Sequence, residues 1–205
     1  MAEQPFLVGQ AVLLVIDIQA STFIDDSTER SIPNMPGYRD RMEKACALVA
    51  HARASGVPVI FFQEAHRPDL IDFGRELDGA ETVHCLEGDP RTELAVKQLQ
   101  ITDADYTIKK RRYSCFFGTD LEILLKGLKA ETLVLVGGLT DVCVHYTFAD
   151  GHQMDYYCRV VEDCVGGSSA AAHEASLAAM EYLQTGARRS FDETCATFSA
   201  LKGAA

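Results

Sequence analysis

Apolar residues along this chain fall into short runs separated by amphipathic stretches. Residues 11–16 form an uninterrupted apolar run that stops at Asp17, and residues 57–62 form a second that leads into Gln63, Glu64, Ala65 and His66. Runs this short, rich in β-branched side chains and closed by polar residues, predict strands buried on both faces. Shorter runs predict further strands over 106–109, 133–136 and 157–161. Between the strands the apolar spacing becomes helical. Over 38–53, Met42, Ala45, Cys46, Val49 and Ala50 share one face, and Ser55-Gly56 supplies a stop. Further helices are predicted over 91–99, over 119–128 with Thr119 as N-cap, over 141–151, over 168–184 with Ser168 or Ser169 as N-cap, and over 191–201. Residues 20–37 and 67–90 read as polar loops, the second long enough to suggest a functional role.

Strands that alternate with helices need crossover connections, which give a mostly parallel sheet. The expected fold class is therefore α/β: a doubly wound, mostly parallel sheet with helices on both faces. The chain has 205 residues, 47% of them hydrophobic, enough for the core of one domain over 1–205.

Charge narrows the function classes. The formal net charge of −11 disfavours nucleic-acid or anionic-membrane partners, leaving a small-molecule substrate as the expected partner. The first apolar run is only six residues long and follows no basic segment, so neither a signal sequence nor a membrane span is expected and the chain reads as cytoplasmic. The seven cysteines are odd in number and contain no C-x-x-C, which argues against a disulfide framework or a zinc ribbon. There is no G-x-G-x-x-G, P-loop or G-x-S-x-G motif.

In an open parallel sheet, ligands bind beyond the carboxyl ends of the strands. Asp17 and then Gln19 follow the first strand, and Glu64 and His66 the second. Lys110, Arg111 and Arg112 follow the third. Gly137-Gly138-Leu139-Thr140-Asp141-Val142-Cys143 follows the fourth, and Asp163 the fifth. A carboxylate, a lysine and a cysteine thus converge on one sheet edge. Cys143 falls in the first turn of a predicted helix, where free N–H groups and the helix dipole would lower its pKa, with Lys110 adding to the effect. The same N–H groups could hold an oxyanion. Asp17 could take the thiol proton and return it to a leaving amine.

Residues 15–19 (VIDIQ), 110–116 (KRRYSCF) and 137–144 (GGLTDVCV) resemble the three blocks of the isochorismatase-like cysteine hydrolases, in matching order across about residues 10–185. That family includes nicotinamidase, N-carbamoylsarcosine amidohydrolase, and biuret and ureidoacrylate hydrolases. The resemblance implies a triad of Asp17, Lys110 and Cys143. Lys110 rather than Lys109 aligns, because the family lysine lies three residues before Tyr-Ser. It also implies a cis peptide at Gly138–Leu139 and an oxyanion hole from the backbone N–H groups of Leu139 and Cys143. Gln19, Phe23 and Arg112 are the candidate substrate-binding residues, with Arg112 the candidate partner for a substrate carboxylate. A homo-oligomer, dimer or tetramer, is implied as well. The chain departs from the family pattern in Asp-Ile-Gln-Ala-Ser-Thr-Phe, with one extra residue before Phe23, and in Cys115 where alanine is common. Both departures bear on the substrate.

Glu64-Ala65-His66 and His84-Cys85-x-x-Gly88 resemble the metal-binding segments of nicotinamidases, with glutamate in place of aspartate. Glu64, His66 and His84 are therefore the candidate ligands for a divalent metal. Metal-free family members carry a similar segment, and the expectation is of no cofactor. The function expected is hydrolysis of a C–N bond in a small carboxamide, ureide or carbamoyl compound through a thioester. The alternatives are vinyl ether hydrolysis of the isochorismatase type, which needs no thiol, and a non-catalytic binding protein of the same fold.

Overall fold

The computed structural model describes residues 5–24 and 32–201. Residues 25–31 of the expected 20–37 loop lie outside them. Six strands form one sheet: β1 (Gln10–Ile16), β2 (Val59–Glu64), β3 (Tyr106–Lys110), β4 (Ala130–Gly138), β5 (Tyr157–Gly166) and β6 (Arg188–Arg189). Their order is β3-β2-β1-β4-β5-β6, and every pairing is parallel. The helices are α1 (Tyr38–Ala54), α2 (Val96–Leu99), α3 (Leu121–Gly127), α4 (His145–Gln153), α5 (Ala170–Leu183) and α6 (Phe191–Leu201).

The period-2 alternation of the strands builds two cores. Leu13, Val15, Phe61, Val134 and Val136 face α1, α2 and α6, where they meet Met42, Leu48, Leu99 and Phe198. Leu14, Ile16, Phe62, Leu133 and Leu135 face α3, α4 and α5, where they meet Leu125, Phe148, Leu177 and Met180. Each such fully buried side chain contributes about 1.5–3 kcal/mol. The chain moves outward from β1 to β3 with α1 and α2 on one face. It then returns through α3 to β4 and continues outward on the opposite face. This reversal puts the topological switch point between β1 and β4, the place where such sheets bind ligands. Two glycines let β4 end there. A Cβ at Gly137, whose φ is +112°, would sit 2.0 Å from the Ile16 carbonyl oxygen, and one at Gly138 would sit 2.0 Å from Tyr38 Oη.

Several expected boundaries shift. β4 and β5 are longer than their apolar runs, and β6 had no detectable pattern. Thr119 lies one residue before the cap position of α3, yet its Oγ1 still accepts from Leu121 N at 3.2 Å. Ser169 caps α5 through Ala172 N, while Ser168 bonds to Asp141. The helix expected over 91–99 is only Val96–Leu99. Its first half is instead tied to the segment after β1: Ala20 N donates to Glu93 O, Ser21 N to Arg91 O and Ala95 N to Ile18 O. Among the described residues, no helix is long and apolar enough to cross a membrane.

Candidate active site

Asp17 follows β1 directly, with φ at +53°, a left-handed conformation that aspartate tolerates better than most residues. Lys110 ends β3, whose alternation buries Ile108 and Lys110 and exposes Lys109, which pairs with Glu87 at 2.9 Å. Glu64 ends β2 and is the register partner of Lys110. Beyond β4 the Gly138–Leu139 peptide is cis. The chain then turns through a wide π-type turn, Thr140–Val144, in which Leu139 O accepts from Val144 N. Asp141 anchors this turn by accepting from Ser168 N and Oγ. Cys143 sits within it, ahead of α4.

These elements bring Asp17, Glu64, Lys110 and Cys143 into one cluster. Lys110 Nζ lies 2.7 Å from Asp17 Oδ2, 2.9 Å from Glu64 Oε2 and 3.4 Å from Cys143 Sγ. The thiol also donates to Glu64 Oε2 at 3.4 Å. The electrostatics follow from burial. Burial raises Asp17 to about 6, with Glu64 adding to the rise and Lys110 opposing it. Burial likewise works against an ionised Glu64, but Lys110, His66 and His84 reverse this and hold it well below the carboxylate range. Lys110 stays well above its ordinary value: burial opposes the charge, and Asp17, Cys143 and Glu64 overcome that. The expected lowering of the Cys143 thiol is not found. Burial pushes it well above the ordinary thiol range; Lys110 opposes the rise, and Asp17 and Glu64 add to it. Cys143 therefore rests as a thiol and needs a base.

The cluster opens into a cavity of about 830 Å³ lined by Asp17, Gln19, Glu64, Tyr38, Tyr113, Leu139, Val142 and Cys143, among others. Leu139 and Cys143 thus border the space a reacting carbonyl would occupy. Gln19 lines the cavity with its amide already committed, donating to Glu64 O and Thr92 O. Two expected substrate contacts do not reach it. The short 3₁₀ turn Ala20–Phe23 packs Phe23 against the α1-side core and leaves Thr22 and Ile24 on the cavity wall. Arg112 turns away to the carbonyls of Asp72 and Arg111 and lies 4.0 Å from Glu76. Cys115 is also buried off the cavity, its N–H bonded to Thr147 Oγ1. Asp163 lies within β5 and pairs with Lys44 rather than joining the site.

Behind Glu64 lies a second polar cluster. His66 N donates to Cys85 O and Glu87 N to His66 O, which ties the 84–88 segment to the end of β2 and brings His84 Nε2 to 3.1 Å from Glu64 Oε1. His66 Nε2 lies 3.5 Å from Glu64 Oε1 and 3.1 Å from Glu76 Oε2. Phe73 stacks on His66 at 4.0 Å and meets His84 edge-on. Glu64, His66, Glu76 and His84 are all buried, with one ligand atom from each within 4.8 Å of the others. Both ring nitrogens of His66 and both carboxylate oxygens of Glu76 are buried without a hydrogen bond. Two imidazoles and two carboxylates with such unsatisfied atoms fit a divalent transition metal. Glu76 had no sequence signal, being one of many acidic residues in the 67–90 loop. Asp17, Glu64 and Cys143 are also grouped closely, but there the Lys110 ammonium already serves as the cation.

A family model described as the isochorismatase domain matches residues 11–189. The chain belongs to the isochorismatase family. Among curated relatives of this isochorismatase-family hydrolase, ureidoacrylate amidohydrolase RutB of Pseudomonas savastanoi pv. phaseolicola is 28% identical over 222 residues, covering 93% of this chain and 84% of the relative. The cysteine hydrolase from Pseudomonas syringae pv. phaseolicola 1448A superposes with a TM-score of 0.80 at 24% identity, over 94% of this chain and 93% of that one. The pyrazinamidase of Pyrococcus horikoshii, solved in complex with zinc, superposes with a TM-score of 0.74 at 21% identity, over 89% and 99%. At these identities the two structures establish a shared fold.

Proposed function

We propose that this isochorismatase-family amidohydrolase cleaves a C–N bond of a small carboxamide, ureide or carbamoyl compound, with Cys143 as nucleophile. The observation that carries the reading is the buried Lys110 ammonium held between Asp17 and Cys143, both of which line the cavity. Asp17, raised to about 6, is ionised at neutral pH yet basic enough to accept a proton. As the sulfur attacks the carbonyl carbon, the thiol proton passes to Asp17. The oxyanion forms against the backbone N–H groups of Leu139 and Cys143. Asp17 then protonates the leaving nitrogen, so ammonia or an amine departs and an acyl thioester remains on Cys143. Water attacks the thioester while Asp17 takes its proton, and the returning proton restores the thiol. Lys110 stays charged throughout and offsets the two carboxylates. Glu64, His66, Glu76 and His84 would hold a divalent metal, which when bound supplies a Lewis acid beside the cavity.

Ammonia release across nicotinamide, biuret, N-carbamoyl amino acids, maleamate, ureidoacrylate and simple ureides tests the proposal. At least one compound is expected to turn over, with an acyl adduct on Cys143 detectable by mass spectrometry. Cys143→Ala should abolish turnover while binding persists. Residual activity above about a tenth of wild type, a barrier change of only about 1.4 kcal/mol, would overturn the nucleophile assignment.

A further inference from the structure

We propose that Glu64 is a positioning residue of the catalytic cluster, whose forked carboxylate holds the Cys143 thiol and the Lys110 ammonium with one oxygen and the histidine pair with the other. The inference rests on Cys143 being the nucleophile, and it gives Glu64 a role beyond that of a candidate ligand. Oε2 lies 2.9 Å from Lys110 Nζ and accepts from Cys143 Sγ at 3.4 Å. Oε1 lies 3.1 Å from His84 Nε2 and 3.5 Å from His66 Nε2. The residue is 5% exposed, so water does not compete for these contacts.

The backbone makes the placement rigid. Glu64 and Lys110 are register partners at the ends of adjacent parallel strands, so their side chains leave the sheet together. The carbonyl of Glu64 is held by Gln19 Nε2 at 3.0 Å, and Ala65 N donates to Lys110 O at 3.2 Å. The length of the side chain matters because one carboxylate serves two clusters. Aspartate would withdraw both oxygens by one methylene, and it could not keep the histidines and still reach the sulfur. Glutamine would keep the length, but its NH₂ group would face either Lys110 and the thiol or the two histidines.

The two carboxylates around Lys110 then divide the work. Asp17 moves the proton. Glu64 accepts the thiol hydrogen bond in the resting enzyme, fixes the sulfur's direction, and keeps Lys110 from swinging wholly to Asp17.

Labelling of Cys143 by iodoacetamide near neutral pH, read peptide by peptide with the other cysteines as internal controls, tests this without needing a substrate. Wild type, Glu64→Gln and Glu64→Asp are compared, with metal content measured in each. Removing the carboxylate takes away the hydrogen-bond acceptor that holds the thiol, and is expected to speed Cys143 labelling by at least about fivefold. With a turned-over substrate, Glu64→Gln is expected to lower kcat by at least about tenfold and leave KM within about threefold. Glu64→Asp, which keeps the charge, falls between the two on both measures and replaces Glu64→Gln should that variant not fold. Cys143 labelling at or below the wild-type rate, or turnover lost only through KM, overturns the role. Turnover surviving in Cys143→Ala would instead remove the nucleophile, a result the labelling comparison distinguishes.

Discussion

Lys110 Nζ lies 2.7 Å from Asp17 Oδ2, on a side chain with no exposed surface. The two residues come from strands that are not neighbours, β1 and β3, with β2 between them. A buried ammonium so placed cannot be satisfied by water, and its charge holds only because Asp17 and Glu64 face it. The pair therefore couples the fold to the chemistry: whatever disturbs its charge balance is felt in both.

Replacing Asp17 by asparagine keeps the shape and removes the base. Loss of the proton shuttle is expected to lower kcat/KM by at least about a hundredfold. In the proposed mechanism the same group is expected to set the pH profile. Asp17 must be ionised to accept the thiol proton, and burial raises it to about 6, so wild-type kcat/KM is expected to fall as pH drops through about 6. A rate profile for both proteins checks this. An acid limb unchanged in Asp17→Asn would assign the titration elsewhere.

Lys110→Met retains most of the volume but leaves two buried carboxylates facing each other. Breaking a buried ion pair by removing one partner costs about 3–5 kcal/mol. Denaturant unfolding should show a loss of that order, along with lost turnover. Lys109→Met, which removes only an exposed pair with Glu87, should leave the unfolding transition close to that of wild type. Equal effects from the two substitutions would contradict the assignment of Lys110.

The sequence made Asp17, Lys110 and Cys143 visible because each sits at or just past a strand end, and strand ends are set by where apolar runs stop. In a parallel sheet that places them on one edge without any knowledge of the loops. The placements of Phe23 and Arg112 are not legible in the sequence, because their directions depend on turns rather than on strand period. The 3₁₀ turn sends Phe23 into the core, and the carbonyls of Asp72 and Arg111 draw Arg112 away. Residues 91–95 carry helical spacing, but their backbone groups bond to residues 18–21, and that long-range pairing leaves no local trace. The state of the thiol differs from expectation for a related reason: helix position and Lys110 are legible in the sequence, whereas full burial beside two carboxylates is not.

Gly137→Ala should damage the molecule more than an ordinary added methyl. The φ of +112° is one that side chains rarely adopt, and the new Cβ would meet the Ile16 carbonyl oxygen, which is backbone and cannot swing aside. Overpacking costs about 1–3 kcal/mol, and the conformational penalty adds to it. Gly138→Ala meets the hydroxyl and ring edge of Tyr38, a side chain rather than backbone, so its stability loss should be smaller and its effect should fall on the cavity wall. Thermal unfolding of the two variants gives the order, and a milder Gly137→Ala would contradict it.

The last prediction concerns the buried cluster behind Glu64. Three candidate ligands read from the sequence, one of them a glutamate where aspartate is usual, favoured a metal-free protein. The structure adds Glu76 as a fourth donor, with buried oxygens that make no hydrogen bond and whose near neighbour is His66 Nε2 at 3.1 Å. Without a cation, Glu64 and Glu76 must be balanced by protonating His66: burial lowers that imidazole, but the two carboxylates overcome it and raise it to about 9. A divalent metal satisfies the same oxygens and lets both rings act as neutral ligands. We predict one divalent transition metal per chain in protein purified without chelator, measured by elemental analysis. His66→Ala, Glu76→Gln and His84→Ala should each reduce it. At a free metal concentration of about a hundred times Kd, binding should stabilise the fold by about 2.7 kcal/mol. The unfolding midpoint should therefore fall after chelation and recover on refilling. Metal-free protein whose midpoint does not respond to added zinc, manganese or iron would mean that protonated His66, with Lys110 and His84 at Glu64, balances the two carboxylates without a metal.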